Sequence, residues 1–152
     1  FIVQTLMHFK AEWHVFSKYA TCRYRVNNVW VNPIDADNFT ESLRTSEGVL
    51  CGAGFELPAE ALFLNKKLMV IPMMGQYEQL CNAESLKKIG VVILDKLCLL
   101  HRRTISLWLL NSHQIVVNYP NRTEQIIDTI FNDLTPLQNA SSTPQLIDLV
   151  GA

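Results

Sequence analysis

Three short runs of consecutive apolar residues, at 48–51, 68–71 and 91–94, are separated by segments whose apolar residues recur at helical spacing. A strand without a polar face must be buried on both sides, and a parallel sheet sandwiched between helices is the arrangement that buries it. Residues 13–16 and 28–31 read as two earlier buried strands, joined by a polar connector that holds Lys18, Arg23, Arg25 and Asn27-Asn28. Helices are expected around Ile2, Leu6 and Phe9, from Asp37 with Phe39 and Leu43, and at 58–64, 77–88, 96–110 and 123–134. A short extended piece is expected at 115–117. Alternation with short connections predicts right-handed βαβ units and an α/β fold.

One domain is the default for 152 residues with 49% hydrophobic content. The expected division is a domain over 1–134 and a tail over 135–152, rich in Ser, Thr, Pro, Gln and Asn. The chain opens at Phe1, inside an apparent helix, which reads as a piece of something longer. A formal net charge of −1, with the thirteen Lys and Arg spread along the chain, argues against capture of nucleic acid. Cys22, Cys51, Cys81 and Cys98 stand far apart without a CxxC pair, which fits a reducing, cytoplasmic setting. Matches to the glycosylation pattern at Asn38, Asn121 and Asn139 are then accidental. The most apolar stretch, 91–110, is broken by Asp95, Lys96, His101, Arg102 and Arg103, so it is not read as a membrane span. The histidines His8, His14, His101 and His113 have no metal-ligand spacing, and each reads as an ordinary packed or exposed residue. Trp13, Trp30 and Trp108 read as core rather than as a ligand platform.

The stretch LCGAGFELPAEAL, residues 50–62, carries the densest chemistry. In an open α/β sheet, ligands bind beyond the carboxyl ends of the strands, where loops enter helices. Gly52 and Gly54 permit unusual backbone angles and close approach of a ligand to the main chain. Pro58 has to lie in a first helical turn, which leaves the amides of 54–57 for a cap or an anion such as a diphosphate. Glu56 and Glu60 share a helix face; Glu56 complements the helix dipole, whereas Glu60 has the reach to accept from neutral hydroxyls such as those of a ribose. A NAD-type fingerprint fits poorly, because its third glycine would fall on Leu57 and the next strand ends at Met73-Met74 without an acid. The following loop, IPMMGQYEQLCNAESL, crowds Gln76, Glu78, Gln79 and Asn82 into one turn, a set suited to reading sugar hydroxyls.

Residues 48–91 together resemble the donor-binding half of GT-B glycosyltransferases, among them the UDP-glucuronosyltransferases, macrolide and plant glycosyltransferases and the peptidoglycan N-acetylglucosaminyltransferase. The resemblance rests on Gly54 with Glu60, and on Pro72 with Gln79, Asn82 and Ala83. It implies a Rossmann-like parallel sheet with helices on both faces. It also implies that Gly52, Ala53, Gly54 and Phe55 meet the donor diphosphate, Glu60 the ribose, and Glu78 and Gln79 the sugar, with Ile34 of VNPIDADNF beside the base. Cys51 departs from the His or Ser of many members.

The implied activity is inverting transfer, without metal or other cofactor, from a nucleoside-diphosphate sugar, in particular a UDP-sugar, to an unidentified acceptor. The catalytic base would belong to an absent N-terminal domain, so the isolated chain should bind donor without turnover. Any peripheral membrane contact would run through that absent domain. A nucleotide-sugar 2-epimerase half and a noncatalytic nucleotide-binding or interaction domain stay open as alternatives.

Overall fold

Helix α1 (Ile2–Leu6) leads into strand β1 (Trp13–Phe16), β2 (Tyr24–Val26) and β3 (Val29–Asn32). The structure, a computed structural model, describes residues 1–112 and 114–139, the side chains of 134–139 excepted. β1 runs parallel to β3, and β2 pairs antiparallel on the other side of β3, giving the order β1-β3-β2. The expected polar connector therefore contains a strand. Its residues are all exposed, so no burial pattern marked it. The hairpin into β3 turns at Asn27, which takes φ 54°, a left-handed conformation that asparagine tolerates. Asn28 then donates its amide to the carbonyls of Phe9 (2.8 Å) and Ala11 (2.7 Å), fastening the hairpin to the segment before β1.

After β3, helix α2 (Ala36–Thr45) starts on Asp35, whose carboxylate accepts from the Asn38 amide at 2.9 Å. Next come β4 (Gly48–Gly52), α3 (Glu56–Phe63), β5 (Lys67–Ile71), α4 (Tyr77–Lys88), β6 (Val92–Ile93) and α5 (Arg102–Leu110). β4, β5 and β6 form a second sheet, parallel throughout and in sequence order. The fold is thus α/β and Rossmann-like, as the alternation predicts, with antiparallel β2 as the departure.

Strand alternation explains why helices lie on both faces of the second sheet. Val49, Cys51, Leu68, Val70 and Ile93 pack with Ala61 and Leu62 of α3 and Ala83 and Leu86 of α4. Their neighbours Leu50, Met69, Ile71 and Val92 turn the other way, onto Ile105, Trp108 and Leu109 of α5 and onto Phe9. In the first sheet, Val29 and Val31 meet Leu6 of α1, while Phe16 meets Phe39 of α2 edge to face at 5.1 Å. Trp13, Leu50 and Leu97 each touch two of the buried clusters, so the two sheets share one interior.

Leu6 and Phe9 are buried as expected, but Ile2 is 51% exposed. The helix expected over 96–110 is shortened to α5 preceded by a single 3-10 turn (Leu99–His101), because Asp95 draws the Lys96 amide and His101 onto its own carboxylate. Ile115 and Val117 pack on the α3/α4 cluster without entering a strand. Residues Phe1–Val117 form one compact unit, and a second begins at Asn118. It contains α6 (Thr123–Asn139), which runs five residues past the expected end. From residue 140 the expected tail lies outside the described residues, as does His113.

Gly48 tests the packing. A Cβ there would sit 3.0 Å from Trp108 Cζ2 and 3.1 Å from the Lys67 carbonyl, caught between a buried ring and a backbone. Gly48→Ala is expected to lower stability by about 1–3 kcal/mol in urea unfolding, the range of core overpacking; an unchanged midpoint would show that Trp108 moves freely.

Candidate functional site

Parallel strands deliver their loops to a common edge. At the carboxyl ends of β4, β5 and β6 these loops are 53–55, 72–76 and 94–98. The first two are locked together by one side chain. Gln79 Oε1 accepts from the amide of Ala53 at 3.2 Å and from the amide of Met73 at 2.9 Å, while its Nε2 donates to Gln76 Oε1 at 2.8 Å. Three residues on, Asn82 Nδ2 donates to the Ala53 carbonyl at 3.1 Å, so both polar groups of the buried Ala53 are held by α4. The i, i+3 spacing of Gln79 and Asn82 puts them on one face of that helix.

The glycines serve approach rather than angle. Gly75 (φ 79°) and Gly90 (φ 94°) take the left-handed conformation, and Gly52 and Gly54 do not. A Cβ on Gly52 would stand 3.4 Å from Gln79 Oε1, close to the lock. Gly54 has nothing within 4 Å of where a Cβ would be, so its backbone is open to solvent or ligand. α3 then begins at Glu56 behind Phe55, whose side chain supplies no cap. α4 begins behind Gln76, whose side-chain oxygen is turned to Gln79 instead of to a first-turn amide. Two helix N-termini with their positive dipole ends therefore meet the shelf made by these loops.

The side chains of Glu60 and Glu78 are exposed and make no hydrogen bond or ion pair among the described residues. Phe55 is 67% exposed. Ile34, 69% exposed, lies on the loop from β3 to α2, and no bond ties it to the Gln79 lock. Gly52, Ala53 and Gln79 are thus brought together, whereas Glu60, Glu78, Phe55 and Ile34 stand free. Cys51 packs into the α3/α4 cluster, and burial pushes its thiol up to about 12. It stays neutral and adds no charge behind the glycines.

A pair that sequence reading passed over joins the third loop to the 3-10 turn that follows it. His101 Nε2 meets Asp95 Oδ1 at 2.5 Å, and the same oxygen accepts from the Lys96 amide at 2.9 Å. Desolvation opposes ionisation of Asp95, but His101 and the backbone amides outweigh it and hold the carboxyl below its usual range. The six-residue separation follows no helical or strand period, so no spacing signal marked it.

Cations mark the opposite edge of the sheet. Lys66 Nζ donates to the carbonyls of Arg44 and Ser46, both at 2.7 Å, and Lys67 Nζ to that of Leu109 at 3.0 Å. Both lysines neutralise carbonyls at or near helix C-termini, as the dipole favours.

With this geometry, sequence comparison assigns the class: the chain belongs to glycosyl transferase family 1, whose model matches residues 1–112. The protein is accordingly a glycosyltransferase domain, and the matched span contains all three loops. No curated protein and no solved structure matched it. No helix among the described residues is long and apolar enough to cross a membrane.

Gln79→Leu keeps the bulk and removes the acceptor. It is expected to cost about 1–3 kcal/mol and to speed hydrogen exchange at the Ala53 and Met73 amides; unchanged exchange at both would disprove the lock. The depressed Asp95 ionisation stabilises the fold above its unfolded value, near pH 4, and that contribution is lost as pH falls through the lower folded value. The stability gap between the wild type and Asp95→Asn should therefore narrow below about pH 4 in acid titrations of denaturant midpoints.

Proposed function

We infer that this chain is the donor-binding half of a metal-independent, inverting glycosyltransferase that uses a UDP-sugar. The observation that carries the reading is the shelf at the carboxyl ends of β4 and β5, where open Gly54 and two helix N-termini without side-chain caps flank the Gln79 lock. Amides in that arrangement suit a diphosphate, since they supply positive potential without a counter-charge to displace. In this reading Gly52, Ala53, Gly54 and Phe55 meet the diphosphate through the main chain. Glu60, exposed one turn into α3, accepts from the ribose hydroxyls. Glu78, exposed and unpaired at the start of α4, reads the sugar. Ile34 lies beside the base.

Gln79 has two roles here. Its oxygen is committed to Ala53 and Met73, so it orders the shelf, and its Nε2 exchanges Gln76 for a sugar hydroxyl when donor binds. The catalytic base belongs to a further N-terminal domain, and the chain by itself binds donor in the cytoplasm without turning it over. β1 and β4 are both terminal strands of their sheets, yet Trp13 and Leu50 share buried neighbours.

Calorimetric titration with UDP, GDP, TDP and NAD, with and without magnesium, tests the reading. Saturable, magnesium-independent binding of UDP is expected, weakened roughly tenfold by Glu60→Ala through loss of a charge-assisted hydrogen bond. Binding of NAD in preference to the diphosphates, or a Glu60→Ala protein with unchanged UDP affinity, would contradict it.

A further inference from the structure

The charges of the first 34 residues are lopsided. Lys10, Lys18, Arg23 and Arg25 stand against a single carboxylate, Glu12. That carboxylate is committed: it lies 3.5 Å from Arg25 Nη2 and 3.5 Å from His14 Nε2. Arg23 and Lys18 have no carboxylate partner among the described residues.

These cations gather on the outer strand of the first sheet and the loop leading into it. Arg25 is the cross-strand neighbour of Trp30, and its guanidinium lies 5.0 Å from the indole centroid. Arg23 stacks on the same ring at 4.2 Å. Trp30 is therefore not the core residue its apolar surroundings in sequence imply; it is a platform that holds two like charges together at the sheet edge. Lys18 Nζ sits 5.3 Å from the ring of Tyr19, which is 84% exposed, and Tyr24 between the two arginines is 46% exposed.

We propose that this edge, formed by Lys18, Arg23 and Arg25 with Tyr19, Tyr24 and Trp30, is a docking surface for an anionic phospholipid bilayer. Charge complementarity selects the occupant. Arg23, over the indole, makes no side-chain hydrogen bond or ion pair among the described residues, so its fork of N–H groups is open to phosphate oxygens, whereas Arg25 gives Nε to the Asn27 carbonyl at 2.6 Å and faces Glu12, and adds chiefly charge. Exposed tyrosines favour the headgroup layer, where the ring is sheltered and the hydroxyl stays wet. Single-stranded nucleic acid would stack successive bases on bare aromatic faces; here the indole carries guanidinium groups and Lys18 sits over Tyr19, which leaves Tyr24 alone. The membrane contact would thus be made by this chain itself and not only by a further domain.

Flotation with phosphatidylcholine vesicles, with and without phosphatidylglycerol, provides the test. Binding to the anionic vesicles alone is expected, falling as salt rises. The pair Arg23→Ala/Arg25→Ala should reduce it by at least about tenfold. Lys18→Ala/Tyr19→Ser, in a loop that contributes nothing to the sheet, should reduce it to a lesser degree, and Lys87→Ala/Lys88→Ala on α4 should leave it unchanged. Equal binding to neutral vesicles, indifference to both edge variants, or tighter capture by single-stranded RNA would overturn the proposal. No vesicle binding at all would overturn it too, and the cations would then serve only to keep an open strand edge from pairing with another chain.

Discussion

A single carboxamide oxygen, that of Gln79, receives two backbone amides from the ends of two neighbouring strands. Loops beyond strand ends lie at the surface, where water competes for every amide, so their conformation must be held by something other than the sheet. Gln79 and Asn82 supply that hold from one face of α4, and α4 is in turn seated by Ala83 and Leu86 on the same apolar cluster as the strands. Shelf geometry and core packing are consequently one system: the helix that buries the sheet also carries the side chains that shape the loops.

Electrostatic order along the parallel sheet follows from its direction. Helix N-termini meet the strands' carboxyl ends, and there the exposed backbone is left open. Near the amino ends, Lys66 and Lys67 answer the carbonyls left by helix C-termini. The same dipole thus produces a face suited to an anion at one edge and a closed, self-neutralised face at the other. Membership in glycosyl transferase family 1 agrees with the first of these faces.

Most of the fold was legible because burial on both sides leaves a plain signature. Runs such as Leu-Met-Val-Ile can satisfy neither a surface strand nor an amphipathic helix, and β4, β5 and β6 appear where those runs lie. β2 was not legible. Its three exposed residues carry no pattern, and it forms because β3 offers a free edge and Asn27 accepts a left-handed turn. The shelf was legible in outline, since Gly52-Ala53-Gly54 and Gln79 stand out by residue type. That Gln79 bonds Ala53, 26 positions earlier, was not, because no local spacing encodes a contact made across a sheet. Asp95 with His101 escaped because their six-residue separation carries no spacing signal, and Arg23 with Trp30 because the hairpin of β2 and β3 that brings them together was itself not legible.

By itself the sequence determined the class of structure and the place of its candidate site: apolar runs demand a helix-covered parallel sheet, and glycine-rich loops after those runs lie at its carboxyl edge, where open α/β sheets bind ligands. Tertiary structure alone decided which polar groups are spent inside the protein and which remain for a ligand. A side chain's hydrogen-bonding capacity is fixed by its chemistry, but its use depends on what the fold brings within about 3 Å. Gln79 is committed to two loops while Glu60 and Glu78 are left free, and Trp30, apolar in a strand, is turned outward beneath two arginines.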